Sequence, residues 1–132
     1  MEISIIGTSQ ITDFVINKII NHSEKIRVYS EERDYNFENK NKSKKNLEII
    51  LMKNIEDKIQ EIAKSSEIIF LLNQSDSFNL FCYEKILADE ENKKIIVLIN
   101  DTEIYSIFKN KSIPVITPTE INEQDFSYLV KG

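Results

Sequence analysis

The stretch EISIIG at residues 2–7, together with the segment up to KIRVYS at residues 25–30, decides the fold of this chain. The first run is short and apolar and stops at Gly7. A helix is predicted to start within residues 8–11, because the apolar residues that follow have the spacing of one helical face. These residues are Ile11, Phe14, Val15 and Ile19. With a second strand at residues 25–30, this pattern predicts the βαβ opening of a doubly wound sheet, whose first turn usually receives a phosphate.

The turn at Gly7 departs from the fingerprint of dinucleotide-binding proteins. That fingerprint is Gly-x-Gly-x-x-Gly, because its second glycine admits the pyrophosphate and its third lets the helix pack closely on the strand. The corresponding positions here are Gly7, Ser9 and Thr12. Since only the glycine of the tight turn is kept, the motif is stronger evidence for the fold than for a ligand site.

Composition narrows the classes of protein to which the chain can belong. Its 132 residues, of which 41% are hydrophobic and 30% charged, fit a single globular domain spanning residues 1–132. No apolar run approaches the roughly 20 residues of a membrane span, and no secretion signal is recognisable, so we expect a cytoplasmic protein. The net charge of −5 argues against nucleic acid as the partner.

Strands and helices are predicted to alternate along the rest of the chain. The run at residues 68–72 is the most apolar and is expected near the middle of the sheet, and residues 47–52 are expected to form a buried strand. Residues 31–46 are polar, which predicts a loop whose lysine- and asparagine-rich part, residues 39–46, is mobile. The other predicted strands are residues 94–99 and 113–116. The predicted helices are residues 55–64, with Asn54 as the N-cap, and residues 76–88, 102–109 and 121–130. The last of these helices lies within the segment 118–132, which could begin a crossover helix. The fold class is therefore α/β, a Rossmann-like doubly wound sheet of about six mostly parallel strands with helices on both faces.

The helix at residues 76–88 is apolar on more than one face. Such a helix is either sandwiched inside the domain or shared with a second subunit. Its apolar residues are Phe78, Leu80, Phe81, Cys82, Tyr83, Ile86 and Leu87.

Few residues are suited to catalysis. His22, the only histidine, falls at the end of the first helix, where a capping or surface role is expected. Cys82 lies in an apolar helix and is expected to be a core residue. The acidic pairs at residues 31–32 and 90–91 are expected to be solvated. The sequence has no cluster of cysteine and histidine residues, so it does not predict a zinc site. We therefore expect no enzyme.

Several motifs resemble one known family. The resemblance rests on three stretches: the opening at residues 3–7, the segment DSFNL at residues 76–80, and the run IIVLINDTE at residues 95–103. The third stretch is followed by a strand that ends in Thr117-Pro118. The chain resembles the N-terminal domain of regulator-of-potassium-conductance proteins, the TrkA/KtrA-type cytoplasmic subunits of bacterial potassium uptake systems. The resemblance implies a regulatory domain that forms a homodimer or higher oligomer and gates a membrane potassium transporter subunit, held by that partner at the inner face of the membrane.

The family's nucleotide pocket is altered at four places in this chain. Besides the missing glycines, Ser30 stands where an acidic residue should hold the ribose hydroxyls, Met52-Lys53 replaces a Gly-Asp pair, and Leu98 replaces an arginine. Losing the ribose contact alone costs about 1.5–3 kcal/mol, so binding of NAD(H) or ATP/ADP is expected to be weak or absent. If a nucleotide does bind, the resemblance implies contacts from Gly7, Thr8, Ser9, Gln10, Ser30, Glu31 and Asn73.

The alternative function is an NAD(P)-dependent oxidoreductase or another nucleotide-binding enzyme of the same fold. It would need a substrate domain and a general acid or base, and the sequence indicates neither. A phospho-acceptor receiver domain is disfavoured because Asp76 and Asp101 are too scattered to form its aspartate cluster.

Overall fold

The computed structural model describes residues 1–111 and 113–119. Six strands alternate with five helices over these residues. The strands are β1 (Glu2–Ile6), β2 (Lys25–Ser30), β3 (Leu47–Leu51), β4 (Ile68–Leu71), β5 (Lys94–Leu98) and β6 (Val115–Ile116). The helices are α1 (Thr12–Ile19), α2 (Tyr35–Asn41), α3 (Ile55–Lys64), α4 (Asp76–Asp89) and α5 (Thr102–Asn110), with a 3-10 turn at Ile20–His22 after α1.

The sheet has the order β3-β2-β1-β4-β5-β6, and every pair of neighbours is parallel. This confirms the predicted fold class. The chain runs outward from β1 to β3 and then returns to lay β4 on the other side of β1. A doubly wound sheet binds its ligands at such a switch point, at the carboxyl ends of the two central strands.

Two apolar layers hold the helices to the sheet. On one face α1 and α2 pack through residues such as Val15, Ile16 and Phe37, and on the other α3, α4 and α5 pack through residues such as Ile59, Ile86 and Tyr105. Both central strands are buried throughout except for Glu2, which confirms the predicted central place of β4. Within the described residues, no helix is long and apolar enough to cross a membrane.

The prediction of a buried third strand is wrong. β3 lies at the end of the sheet, its five residues are half-buried or exposed, and Leu51 keeps 50% of its surface exposed. A continuous apolar run is typical of a strand buried on both faces, but here it belongs to an edge strand, which among the described residues pairs with β2 on one side alone.

The prediction of a loop over residues 31–46 is also wrong, because α2 forms within it. The Asp34 carboxylate accepts a hydrogen bond from the Phe37 N–H at 3.0 Å and caps the helix, while the Phe37 ring enters the core. The Asn41 side chain donates to the Asp13 carboxylate at 3.2 Å and so ties α2 to α1. Because Phe37 is the one apolar side chain of α2 that is buried, the sequence has no repeating apolar pattern here from which the helix could be predicted.

Helix starts differ from the predictions in two places. α1 starts at Thr12, just beyond the predicted range. Asn54 does precede α3, but its backbone is left-handed (φ 54°) and its side chain does not cap the helix. Ser75 and Asp101 are the side chains that cap α4 and α5. The helix predicted at residues 121–130 lies outside the described residues.

The α4 helix is buried on one face only. Asn79, Cys82, Tyr83 and Ile86 point inward, whereas Phe81 is 54% exposed. The helix is therefore not sandwiched inside the domain, and of the two predicted explanations for its apolar character, sharing with a second subunit stays a prediction.

Asn79 joins the carboxyl ends of β4 and β5. Its side-chain carbonyl accepts from the Asn73 N–H at 3.1 Å, and its amide donates to the Asn73 carbonyl at 2.8 Å and the Leu98 carbonyl at 3.0 Å. The side chain is fully buried. Asn79 is thus a polar link that positions the turn after β4.

Replacing Asn79 with alanine should lower the free energy of unfolding by about 2–4 kcal/mol, because three backbone groups lose their partner in a buried place. Urea unfolding followed by circular dichroism measures the loss. Asn17→Ala, an exposed asparagine on α1, is the control and should change stability by less than about 0.5 kcal/mol. Equal effects of the two substitutions would contradict the role given to Asn79.

Candidate functional site

The candidate site is a cleft of about 560 Å³ at the carboxyl ends of β1, β2 and β4. It occupies the switch point of the sheet, where a ligand is expected. Five of the seven predicted contact residues line it, namely Gly7, Thr8, Ser30, Glu31 and Asn73. The other two, Ser9 and Gln10, lie on the approach to α1 and are not part of the lining.

Gly7 is required by packing within the protein. Its φ of +91° is a conformation that side chains disfavour, and a Cβ built on it would lie 2.7 Å from the Cα of Asn73. The Gly7 N–H donates to the Tyr29 carbonyl at 2.8 Å. The turns after β1 and β4 therefore touch directly at this glycine, and no ligand is needed to explain it.

The position of the fingerprint's third glycine holds a buried threonine. The Thr12 side chain is fully buried, and its hydroxyl accepts a hydrogen bond from the Ser9 N–H at 2.9 Å. The Ser9 hydroxyl lies 3.4 Å from the same oxygen. The backbone N–H that the fingerprint offers to a pyrophosphate is thus already bonded inside the turn, and the residues present do not fit a pyrophosphate in its usual pose.

The rim of the cleft is acidic. Glu31, Glu32 and Asp34 are exposed along it, and the Ser30 hydroxyl is engaged in donating to the Glu32 carbonyl at 2.7 Å. Arg33 is the one cationic side chain among the lining residues, and its guanidinium pairs with the Glu38 carboxylate at 3.0 Å. A phosphate entering this cleft would meet more negative than positive charge.

The remaining candidates for chemistry are placed as follows. His22 is exposed at the end of the 3-10 turn. Cys82 is fully buried, and burial raises the pKa of its thiol to about 12, so the nucleophilic thiolate is scarce at neutral pH. Within residues 1–111 and 113–119, no group of three or more acidic, cysteine or histidine side chains could hold a metal ion.

A second cleft of similar volume opens at the amino ends of the strands, near Met1, Glu67 and Glu91. Its Lys93 ammonium pairs with the Glu90 carboxylate at 2.9 Å and donates to the Ser66 carbonyl at 2.7 Å. These charges neutralise one another within the protein, so the first cleft remains the stronger candidate.

The motif around Asp76 has a structural use that the sequence does not predict. One Asp76 oxygen accepts from the Asn100 N–H at 2.7 Å, and the other accepts from the Asp101 N–H at 2.9 Å. Asp76 and Asn79 therefore join the turns after β4 and β5. Asp76 is the first residue of α4 and its partner Asn100 is 24 residues away in the chain, so no local pattern in the sequence indicates the contact.

Replacing Thr12 with alanine should lower the free energy of unfolding by about 1–2 kcal/mol, because the Ser9 N–H loses its acceptor and the buried γ-methyl group is removed as well. Chemical unfolding curves of the variants provide the measurement. Thr12→Ser keeps the hydroxyl and should lose less, and a Thr12→Ala protein as stable as the parent would show that the hydroxyl bond is unimportant.

Comparisons with known proteins bear on the fold. No family model matches the sequence, and no curated protein matches it. Among solved structures, 23 chains match in fold. One of them is the human SLO3 gating ring, with a TM-score of 0.54 and 12% sequence identity over 89% of this chain. This chain covers 24% of that chain's length, so it is similar in fold to about a quarter of it.

Proposed function

We propose that this chain is a cytoplasmic regulatory domain of a bacterial potassium uptake system, which gates transport through self-association and has weak or no nucleotide binding. The observation that carries the proposal is the likeness of fold to a gating ring, by its name an assembly that gates. The motifs at residues 76–80 and 95–103 independently resemble regulators of potassium conductance.

The switch-point cleft supports a role other than catalysis. Its turn is closed by the Ser9–Thr12 hydrogen bond, and its rim is acidic. We infer from the closed phosphate turn that the domain acts through the surfaces it presents to other proteins. Any ligand would then work by favouring one conformation or packing over another.

The α4 helix supports self-association. Phe81 projects from its outer face with Phe78 half-buried one turn earlier, and the Lys85 ammonium lies 5.7 Å from the centre of the Phe81 ring. An exposed aromatic ring beside half-buried apolar residues is typical of the centre of a protein interface. α4 is therefore the surface proposed for contact with a second copy.

Thermal unfolding in the presence of millimolar NAD, NADH, ATP or ADP should leave the melting temperature unchanged. A ligand at 100 times its dissociation constant adds about 2.7 kcal/mol, which would raise the melting temperature by several degrees. A nucleotide-binding protein measured in parallel is the positive control. A shift of several degrees with NADH would favour the oxidoreductase alternative, and a shift with ATP or ADP would favour ligand sensing.

Replacing Phe81 with glutamate should raise the dissociation constant of self-association at least about tenfold, since a charge would replace a ring at the centre of the contact. Sedimentation equilibrium measures it. Tyr35→Glu, at another exposed aromatic residue on the opposite face of the sheet, is the matched control and should leave association unchanged. A monomeric parent protein at all concentrations would contradict the proposal.

Potassium uptake tests the transport role directly. The chain would be expressed with a bacterial potassium transporter subunit in a strain that lacks its own uptake systems, and growth at limiting potassium would be followed. Expression of the parent chain or of Tyr35→Glu should change the growth rate relative to cells without the chain, whereas expression of Phe81→Glu should not. Equal growth with and without the parent chain would contradict regulation of that transporter.

A further inference from the structure

One face of the sheet is buried farther from its centre than the described helices account for. Ile96, Leu98 and Ile116 of β5 and β6 belong to the same apolar layer as α1, and each keeps 3% or less of its surface exposed. The described helices of this layer, α1 and α2, connect β1 to β2 and β2 to β3, so they lie over the other half of the sheet. The surface formed by these three side chains, the β5–β6 face, therefore needs another cover.

The width of a helix shows why α1 cannot cover the β5–β6 face. Neighbouring strands lie about 4.8 Å apart, so β6, three strands away from β1, is about 14 Å from it. A helix with its side chains is about 11 Å wide and extends about 5–6 Å to either side of its axis. A helix above β1 and β2 thus leaves β6 and the outer side of β5 uncovered.

The chain continues from the edge of this face. β6 ends at Ile116, a turn follows at residues 118–119, and residues 120–132 come after it. The opposite face of β6 is already covered, because Val115 packs in the same apolar cluster as Tyr105 of α5. A segment that turns back over β6 is therefore directed to the β5–β6 face.

The sequence of this segment suits an apolar face of that size. The helix predicted over residues 121–130 has Phe126, Leu129 and Val130 at the i, i+3 and i+4 spacing of one helical side. A helix of that length spans about 15 Å, and a five-residue strand such as β5 spans about 16 Å. One such helix is long enough to cover β5 from end to end.

From this arrangement we infer that residues 120–132 dock on the β5–β6 face of their own chain. The segment runs from the carboxyl end of β6 back toward the amino ends of the strands, and its apolar side contacts Leu98 and Ile116. Its own chain supplies it because a segment tethered beside its site has an effective concentration of about a millimolar, well above that of a second copy in a micromolar solution.

The β5–β6 face is separate from the surface proposed for self-association. α4 lies in the opposite apolar layer, on the other side of the sheet. The docking of residues 120–132 therefore does not rest on the proposed function, and the two can fail independently.

Thiol labelling of the full-length protein tests what covers each side of β6. Ile116→Cys places a thiol on the β5–β6 face, and Val115→Cys, its neighbour under α5, is the matched control. Adding Phe126→Asp puts a charge into the apolar side of the segment, which should raise the labelling rate of Ile116→Cys at least about tenfold and leave Val115→Cys unchanged. Gln124→Asp, on the opposite side of the predicted helix, should change neither rate. The native Cys82 is buried, and the parent protein reports its contribution.

An unchanged labelling rate of Ile116→Cys, or an equal rise for Val115→Cys, would overturn the inference. Leu129→Ala is a milder change on the same apolar side and should act in the same direction as Phe126→Asp. Thermal unfolding gives a second measurement, in which Phe126→Asp should lower the melting temperature of the parent by about 5 °C or more and Gln124→Asp should lower it by less than about 2 °C.

Dilution separates docking within one chain from exchange between copies. With reagent in excess, the labelling rate constant of Ile116→Cys should be the same at all protein concentrations if the segment belongs to the same chain. A rate constant that rises on dilution would show that a second copy supplies the segment, and it would overturn the inference.

Discussion

The contact between the turn after β1 and the turn after β4 is the constraint on which the rest of the structure depends. Gly7 has a left-handed backbone, and Asn73 lies where any side chain at Gly7 would have to be. Asn79 then holds both backbone groups of Asn73 and reaches the end of β5. The carboxyl ends of three strands are thereby joined, β1 to β4 by close backbone packing and β4 to β5 by the hydrogen bonds of a buried side chain.

The same contact explains how the nucleotide scaffold is kept while its phosphate turn is closed. Gly7 is required by packing against Asn73 within the protein, whether or not a ligand binds at the turn. Ser9 and Thr12 stand at the other two fingerprint positions, and the hydroxyl of Thr12, buried at the start of α1, accepts a hydrogen bond from the Ser9 N–H. The turn is stabilised by its own hydroxyl where an anion would otherwise stabilise it.

The surfaces of the domain follow from the order of its strands. β3, whose residues are half-buried or exposed, lies at one end of the sheet, and α4 lies over β4 and β5 toward the other. An edge strand and an outer helix face are separated by the width of the sheet.

Sequence periodicity by itself determined the α/β class, the parallel sheet with β4 near its centre, and the position of the cleft at the Gly7 turn. It succeeded because β1, β4 and the inner face of α1 are dense in isoleucine, leucine and valine with regular spacing. Only the tertiary structure decided that β3 is an edge, that α2 exists, and that Thr12 and Asn79 close and join the turns. Each of these depends on a partner distant in the chain or on one short side-chain contact, and neither leaves a periodic pattern in the sequence.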